Sequence, residues 1–433
     1  MTGPQRVGRL AGRLGLAIGL AAFAHAASAV DLSTSGYGTL GYTRSDKPYT
    51  YQRFIDDRGT LKRDSVAGFQ IDAVFAGNFG ATLQGKVAAP AGRDDGVKTS
   101  VAWAFLTYRP NNDWLLRAGK QRIPLYLFSE SYDIGVTYDF ARLPTEMYSL
   151  TPANDAWGIS FSKTWTIARA DIVLDGYMGR SDTDFRFWLR DEVPQIQKAG
   201  AFFVPIVLQG AGLVLQYKSA QQSYRVGVHR ARVKFGGPFV PLEFPFVPVA
   251  SGLGYYKTVP ALPGPELVAL AEVFNTTWTV GAEVELSQKL RVVVEWAHSK
   301  LPEILTPQGQ RGYVALLARA GPWTPYVSYA FLRSPSSALD IYDQVNGNRL
   351  PSAFPNAAVL NLAQRVGADQ IVVFDQYTWA VGASYAFSAT RKAKAEWSST
   401  RIGRVSNLVD AAPGGDVRRQ DINAVSLSYS FVF

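Results

Sequence analysis

The sequence contains no cysteine, and it has no long apolar run beyond its first thirty residues. Without cysteine the chain cannot form the disulfide framework on which many secreted proteins rely. The best candidate for a membrane helix, residues 201–208, is short and is interrupted by Pro205, whereas a helix needs about 20 apolar residues to cross a membrane. A transmembrane helix is therefore not expected, and if the chain spans a membrane it must do so as a closed β-barrel.

Histidine is also scarce, which weakens most enzymatic interpretations. After the N-terminal segment only His229 and His298 remain, and neither lies beside a recognisable serine motif, although a hydrolase needs a positioned nucleophile and base. We expect His229 to face the interior of the fold in a structural role. We find no metal-ligand cluster, glycine-rich phosphate loop or nucleic-acid motif. The sequence predicts a protein that is not an enzyme and that has no cofactor, metal or nucleic-acid partner.

The N-terminus has the features of a secretory signal peptide. Arg6, Arg9 and Arg13 precede the apolar run 14–24, and small residues follow at 27–29. This order of a basic region, an apolar region and a small-residue cleavage site is typical of signal peptides. A membrane anchor is the alternative, but the apolar run is shorter than the ~20 residues required. We predict a signal peptide at residues 1–29 and a mature chain at residues 30–433.

The last twelve residues alternate between two kinds of side chain. Val425, Leu427, Tyr429, Phe431 and Phe433 alternate with alanine and serine. A period of two indicates a strand with one apolar face and one small, polar face. The aromatic residues at the end of the apolar face are typical of an interfacial girdle.

The same period recurs along the whole mature chain, in sixteen segments. Sixteen is an even number, as a closed bacterial barrel needs. Short turns such as 77–78 and 389–390 alternate with longer connections such as 121–155, 180–209 and 333–375, as expected for hairpins threaded through a bilayer from one side. The predicted fold is an all-β, antiparallel up-and-down transmembrane barrel; a soluble β-sandwich or propeller is the alternative. The segments lie near 32–43, 66–76, 79–87, 101–109, 114–120, 156–165, 169–179, 210–218, 223–234, 275–287, 290–300, 310–319, 323–332, 376–388, 391–401 and 422–433.

The C-terminal strand and the alternating connections resemble those of Gram-negative outer-membrane porins. The resemblance implies a water-filled channel for passive diffusion of small hydrophilic solutes and ions, contact with outer-membrane lipid and lipopolysaccharide, and a homotrimer. Two alternatives stay open: a channel selective for anions or amphipathic acids, and a structural or adhesive barrel with an occluded lumen.

In porins the third external loop folds into the lumen and narrows it, and the connection 121–155 occupies the corresponding place. Opposed acidic and basic side chains there would set up a transverse field that favours polar solutes. The alternative is an external loop with solvated charges. The predicted constriction residues are Arg117, Lys120, Arg122, Glu130, Asp133, Asp139 and Glu146, and the predicted lumen wall includes Asp72, Arg225, Glu283, Arg291 and Glu295.

Two connections are unusually apolar for external loops. The runs 201–208 and 238–248 would expose a large apolar patch if they extended into water. We expect them to pack against each other, against the rim, or inside the mouth of the barrel. The proline-rich run 238–248 should be extended, whereas residues 265–274 and 356–366 could each form a short helix.

Overall fold

The computed structural model describes residues 30–433 except 91–92, 95, 152, 237–240 and 302–307. The predicted signal peptide and part of the proline-rich run lie outside the described residues. None of the helices in the described part of the chain is long and apolar enough to cross a membrane.

Sixteen antiparallel strands form one closed barrel, as the sequence predicts. Each strand pairs with its neighbours in the chain, and β1 closes the ring against β16, where Gly36 and Phe433 exchange two backbone hydrogen bonds of 2.9 and 3.0 Å. The strands are β1 Asp31–Ser45, β2 Val66–Phe75, β3 Phe79–Ala88, β4 Lys98–Tyr108, β5 Trp114–Arg122, β6 Asp155–Ile167, β7 Ala170–Leu189, β8 Gly200–Ser219, β9 Gln222–Phe235, β10 Glu272–Ser287, β11 Leu290–Lys300, β12 Gly309–Ala318, β13 Trp323–Arg333, β14 Phe374–Ser388, β15 Arg391–Ser406 and β16 Asp421–Val432.

The side chains of each strand alternate between the outer and inner surfaces of the barrel. On β10, Trp278 and Val280 are exposed on the outside, whereas Thr277 and Thr279 are buried on the inside. On β16, Val425 and Leu427 are exposed and Ser426 is buried. Exposed apolar side chains thus form a belt around the barrel. Such a belt is stable against lipid and unfavourable in water, so the barrel is built to span a membrane.

The connections between strands are short at one end of the barrel and mostly long at the other. The long connections carry three helices, α1 Thr145–Tyr148, α2 Ser336–Gly347 and α3 Ala357–Asp369. The prediction of a helix at 356–366 is confirmed. The prediction at 265–274 is wrong, because the backbone of this segment bonds to the chain before it: Leu242 N–H donates to Val268 C=O at 2.9 Å, and Glu272 already belongs to β10.

The prediction that 180–209 is a long loop is also wrong, because β7 and β8 continue as a hairpin as far as the pair Leu189 and Gly200. Pro205 was the misleading signal. Its carbonyl accepts a hydrogen bond from Gly236, just past the end of β9, so its missing N–H faces an edge where no strand continues. Proline is tolerated at such edges.

This long hairpin crosses the mouth of the barrel. Arg186 of β7 donates to both carboxylate oxygens of Asp410 at 2.8 and 2.7 Å, and Asp410 lies between β15 and β16, on the opposite side of the ring. On the way, Phe187 and Ile206 pack with Phe374 of β14. The apolar run 201–208 is therefore partly buried at the mouth of the barrel.

Candidate functional site

The connection 123–154, called the inner loop below, folds into the barrel. Shortly before it, Gly119 of β5 has a φ of +136°, which favours glycine. A Cβ at this position would lie 2.2 Å from the carbonyl oxygen of Ala104. The inner loop then packs Phe140 and Met147 against inner-face residues of β11 to β13, including Tyr313. This apolar contact stabilises the loop inside the lumen.

One ionic anchor holds the inner loop to the wall near β3 and β5. The Asp133 carboxylate lies 2.9 Å from Lys86 Nζ and 2.6 Å from the Arg122 guanidinium. Burial alone would raise the pKa of Asp133, but Arg122 and Lys86 more than offset this effect and lower it. Asp133 is therefore ionised at neutral pH and holds the loop through charge-assisted hydrogen bonds.

A second anchor lies on the far wall. Asp139 is 2.5 Å from Arg291 of β11 and 2.8 Å from Lys392 of β15, and it accepts a hydrogen bond of 2.7 Å from Ser384 of β14. Burial opposes ionisation of Asp139, but the ammonium of Lys392 and the neighbouring donors lower its pKa. The inner loop therefore spans the lumen from β5 to these strands.

Neutral donors hold the part of the inner loop that includes α1. Glu146, 1% exposed, accepts hydrogen bonds from Gln376 at 2.7 Å and Thr378 at 2.5 Å. Glu295 of β11 accepts from the Tyr148 hydroxyl at 2.5 Å and the Leu127 N–H at 2.7 Å. These carboxylates are covered by the loop instead of facing an aqueous lumen.

The inner loop also contacts the wall at the seam where the barrel closes. A Cβ on Gly135 would lie 2.2 Å from Ser430 Oγ and 2.6 Å from Thr39 Oγ1. Only glycine fits this close approach. The contact places the loop against β1 and β16.

The charged residues predicted for the constriction fall into two groups. Arg122, Asp133, Asp139 and Glu146 are partnered and largely buried, as described above. By contrast, the side chain of Glu130 on the inner loop is 65% exposed, and its carboxylate lies 3.9 Å from the guanidinium of Arg117 on β5.

Arg117 and Lys120 have further partners on β4. The guanidinium of Arg117 lies over the ring of Phe105, 5.6 Å from its centroid. Lys120 Nζ donates a hydrogen bond to the Val101 carbonyl at 2.5 Å.

The residues predicted for the lumen wall are also partnered. Asp72 accepts hydrogen bonds from Gln70 and Thr82, and Glu283 is ion-paired with Arg291 at 2.6 Å. Arg225 donates to the Pro124 carbonyl of the inner loop. These contacts belong to the wall and its attachment to the loop.

Two chambers lie in the lumen beside the inner loop. The first, called the basic chamber, has a volume of about 450 Å³. Seven lysine and arginine residues and four aspartates line it, so the balance favours anions. The basic residues are Arg53, Arg63, Lys86, Lys98, Lys120, Arg142 and Lys394.

The second chamber, called the apolar chamber, has a volume of about 190 Å³. Ile206 and Leu208 of the run 201–208 line it, together with Phe244 from the connection between β9 and β10. Described residues of both apolar runs therefore line the mouth, one of the arrangements that the sequence left open. Ala153 and Ser181 belong to the walls of both chambers, so the two are adjacent.

Sequence reasoning placed one residue of this site correctly and missed another. His229 was expected on the inner face, and it lies there, bonded to Tyr177 and Thr279 at 2.9 and 3.2 Å. Arg311 of β12 was not singled out, although it lies buried at the apolar chamber. A basic residue at an inner-face position of a predicted strand was the available signal.

No family model matches the chain, and no curated protein matches it by sequence. Solved structures do match. A loop-deletion mutant of OmpT, an outer-membrane protein of Vibrio cholerae, has a TM-score of 0.52 at 12% identity, with 94% of this chain and 100% of that chain covered. OmpT of Vibrio cholerae expressed in the outer membrane has a TM-score of 0.51 at 11% identity, covering 94% and 99%. An anion-selective porin from Comamonas acidovorans has a TM-score of 0.48 at 10% identity, covering 94% and 100%.

At identities this low, the structural matches establish the fold and leave the function open. The closed ring of sixteen strands, the apolar belt and the structural matches agree with one another. The chain therefore has the fold of an integral, porin-like barrel of the outer-membrane type.

Proposed function

We propose that this barrel is a porin of the Gram-negative outer membrane, through which small hydrophilic solutes and ions diffuse passively. The observation that carries the proposal is the inner loop, which lies inside a closed, charge-lined barrel and packs against its inner wall. A polar lumen of this kind favours hydrated solutes, and a loop anchored across it restricts their size.

In this proposal the narrow passage runs between the inner loop and β5, where Arg117 faces Glu130. Of the predicted constriction residues, these two carry opposite charges on exposed side chains, 30% and 65% respectively. A passing ion therefore meets a positive group on the wall and a negative group on the loop. The anchored residues Asp133, Asp139 and Glu146 fix the position of the loop, and through it the width of the passage.

The proposal includes a signal peptide at residues 1–29, a homotrimer, and contact with outer-membrane lipid and lipopolysaccharide. An apolar groove on the outside of the barrel, lined by Leu106, Ile159 and Leu213, offers a surface for a second protomer or for lipid chains. The mass of the folded protein in mild detergent, measured by light scattering, tests the trimer.

We assign the protein no catalytic residue, cofactor or nucleic-acid partner. Within the described residues no group of three or more histidine, aspartate or glutamate side chains could hold a metal ion. Transport would be passive and driven by the solute gradient.

Reconstitution of the mature chain into planar bilayers tests the proposal. We expect stepwise conductance, and a reversal potential in a potassium chloride gradient that reports ion selectivity. The hairpin of β7 and β8 across the mouth favours a second candidate, a barrel with an occluded lumen. A correctly inserted barrel without conductance would support that candidate and contradict the porin.

A further inference from the structure

The wall of the apolar chamber includes one buried charged side chain, that of Arg311. Its wall is made mostly of hydrocarbon and aromatic side chains, among them Phe185, Phe187 and Leu208. Among the described residues that line it there is no aspartate or glutamate. Arg311 is 6% exposed and lies at this wall. The chamber therefore places a guanidinium beside an apolar surface.

The partners of Arg311 are all neutral. Its Nε and Nη2 donate to the Tyr126 hydroxyl at 3.2 and 2.8 Å, and its Nη1 donates to Ser299 Oγ at 3.0 Å. No carboxylate of the described residues lies within 4 Å of it. A guanidinium has five N–H groups, and these contacts use three of them. One N–H remains on each terminal nitrogen.

Arg230 also contributes to this wall, but its guanidinium does not face the chamber. It follows the inward-facing His229 on β9, and its guanidinium lies on the outer surface over the ring of Phe274, 5.6 Å from the centroid. Among the described residues, the inner side of the chamber thus has a single cation. Burying a charge without a counterion is costly unless something compensates it.

We propose that the apolar chamber is a binding site for small amphipathic monocarboxylates, with the carboxylate on Arg311 and an aromatic or short aliphatic body against the apolar wall. The inference rests on the proposed channel and names a class of solute for it. Arginine suits a carboxylate because two parallel N–H donors match its two oxygens. The missing counterion is then supplied by the solute.

The size of the chamber limits the solute. An apolar cavity of about 150 Å³ can hold one benzene, so a chamber of about 190 Å³ admits one ring or a short chain. A single cation selects a single negative charge. The adjacent basic chamber, which shares Ala153 and Ser181, would bring anions close to the entrance.

The test is block of the single-channel potassium chloride current at pH 7 by benzoate. Acetate has the charge without the ring, and benzyl alcohol has the ring without the charge. We expect benzoate to block at a concentration at least about tenfold lower than either, because acetate lacks the ring that contacts the apolar wall and benzyl alcohol lacks the charge that Arg311 binds. Equal block by benzoate and acetate would overturn the inference.

Substitutions test whether benzoate block depends on Arg311 itself or on the overall positive charge of the barrel. Arg311→Gln should raise the half-blocking concentration of benzoate about tenfold or more, and Arg311→Lys should raise it less. Leu208→Asn should weaken the block by benzoate but not the block by acetate. The matched control is Arg319→Gln, one residue past the end of β12, whose partner is Glu285 at 3.4 Å. It should leave the block unchanged. Benzoate block that survives both Arg311→Gln and Leu208→Asn would refute the site.

Failure of this binding site can be told apart from failure of the proposed channel function. If the wild-type barrel does not conduct at all, the porin proposal fails. If it conducts potassium chloride but does not distinguish benzoate from acetate, only the present inference fails.

Discussion

At the scale of single residues, charged side chains inside the barrel have two different roles. Asp133 and Asp139 are buried and bound by basic groups, so they hold the inner loop in place. Arg117 and Glu130 are more exposed and only 3.9 Å apart, so in the proposed channel they would be available to passing ions. The two roles differ in how deeply each side chain is buried and in which groups it contacts, and the sequence reveals neither.

Arg117 gives the prediction at this scale. A unit charge about 4 Å from an ion is worth ~1 kcal/mol even in bulk water, which is about a fivefold effect. Arg117→Ala should therefore shift selectivity toward cations, with the potassium to chloride permeability ratio rising up to about fivefold. The reversal potential in a salt gradient measures it.

The control for Arg117→Ala is Arg401→Ala, since Arg401 follows the inward-facing Thr400 and pairs with Asp421 on the outer surface. It should leave the reversal potential unchanged. A reversal potential that is also unchanged in Arg117→Ala would show that ions pass elsewhere.

At the scale of elements, strands were more predictable than connections. The alternation of side chains depends on neighbours in the chain, so all sixteen strands were found, with errors mainly at their ends. The extension of β7 to Leu189 and of β8 from Gly200 was missed because Pro205 suggests a break. The partners of Asp139, which come from β11, β14 and β15, could not be paired from sequence because they are brought together only by the closed ring.

The inner loop should respond to acid, and this is the prediction at the element scale. Asp64, which lies before β2, forms an ion pair with Arg142 of the inner loop. The pKa values of Asp64, Asp133 and Asp139 are all lowered, in each case because basic partners outweigh burial. A carboxyl with a lowered pKa stabilises the folded state above its unfolded pKa, ordinarily 3.8, and loses this contribution as pH falls through the folded value. Single-channel current should be steady from about pH 8 to 5 and become larger or noisier below about pH 4.

Asp139→Asn tests the same anchor at neutral pH. It removes the charge that binds Arg291 and Lys392, so current noise should already rise at pH 7. A current that changes between pH 8 and 5 in the wild type, while Asp139→Asn stays quiet, would show that these carboxylates do not hold the loop.

At the scale of the whole molecule, the short turns and the long connections lie at opposite ends of the barrel. We predict that the short turns face the periplasm. Because the native chain has no cysteine, Gln221→Cys in a short turn and Ser336→Cys at the start of α2 can be labelled without background. Only Ser336→Cys should react with an impermeant reagent added to intact cells. Labelling of both from outside would contradict this orientation.

The central claim is that the inner loop sets the resistance of an otherwise open barrel. The most direct measurement compares the single-channel conductance of the intact chain with that of a variant lacking residues 128–140, which contain Asp133, Asp139 and the Gly135 contact. Both proteins are first shown to be folded by heat-modifiable migration in gels. We expect the deletion to raise the conductance and to weaken selectivity. If it folds normally and both quantities stay unchanged, the hairpin over the mouth limits flow and the inner loop is not the constriction.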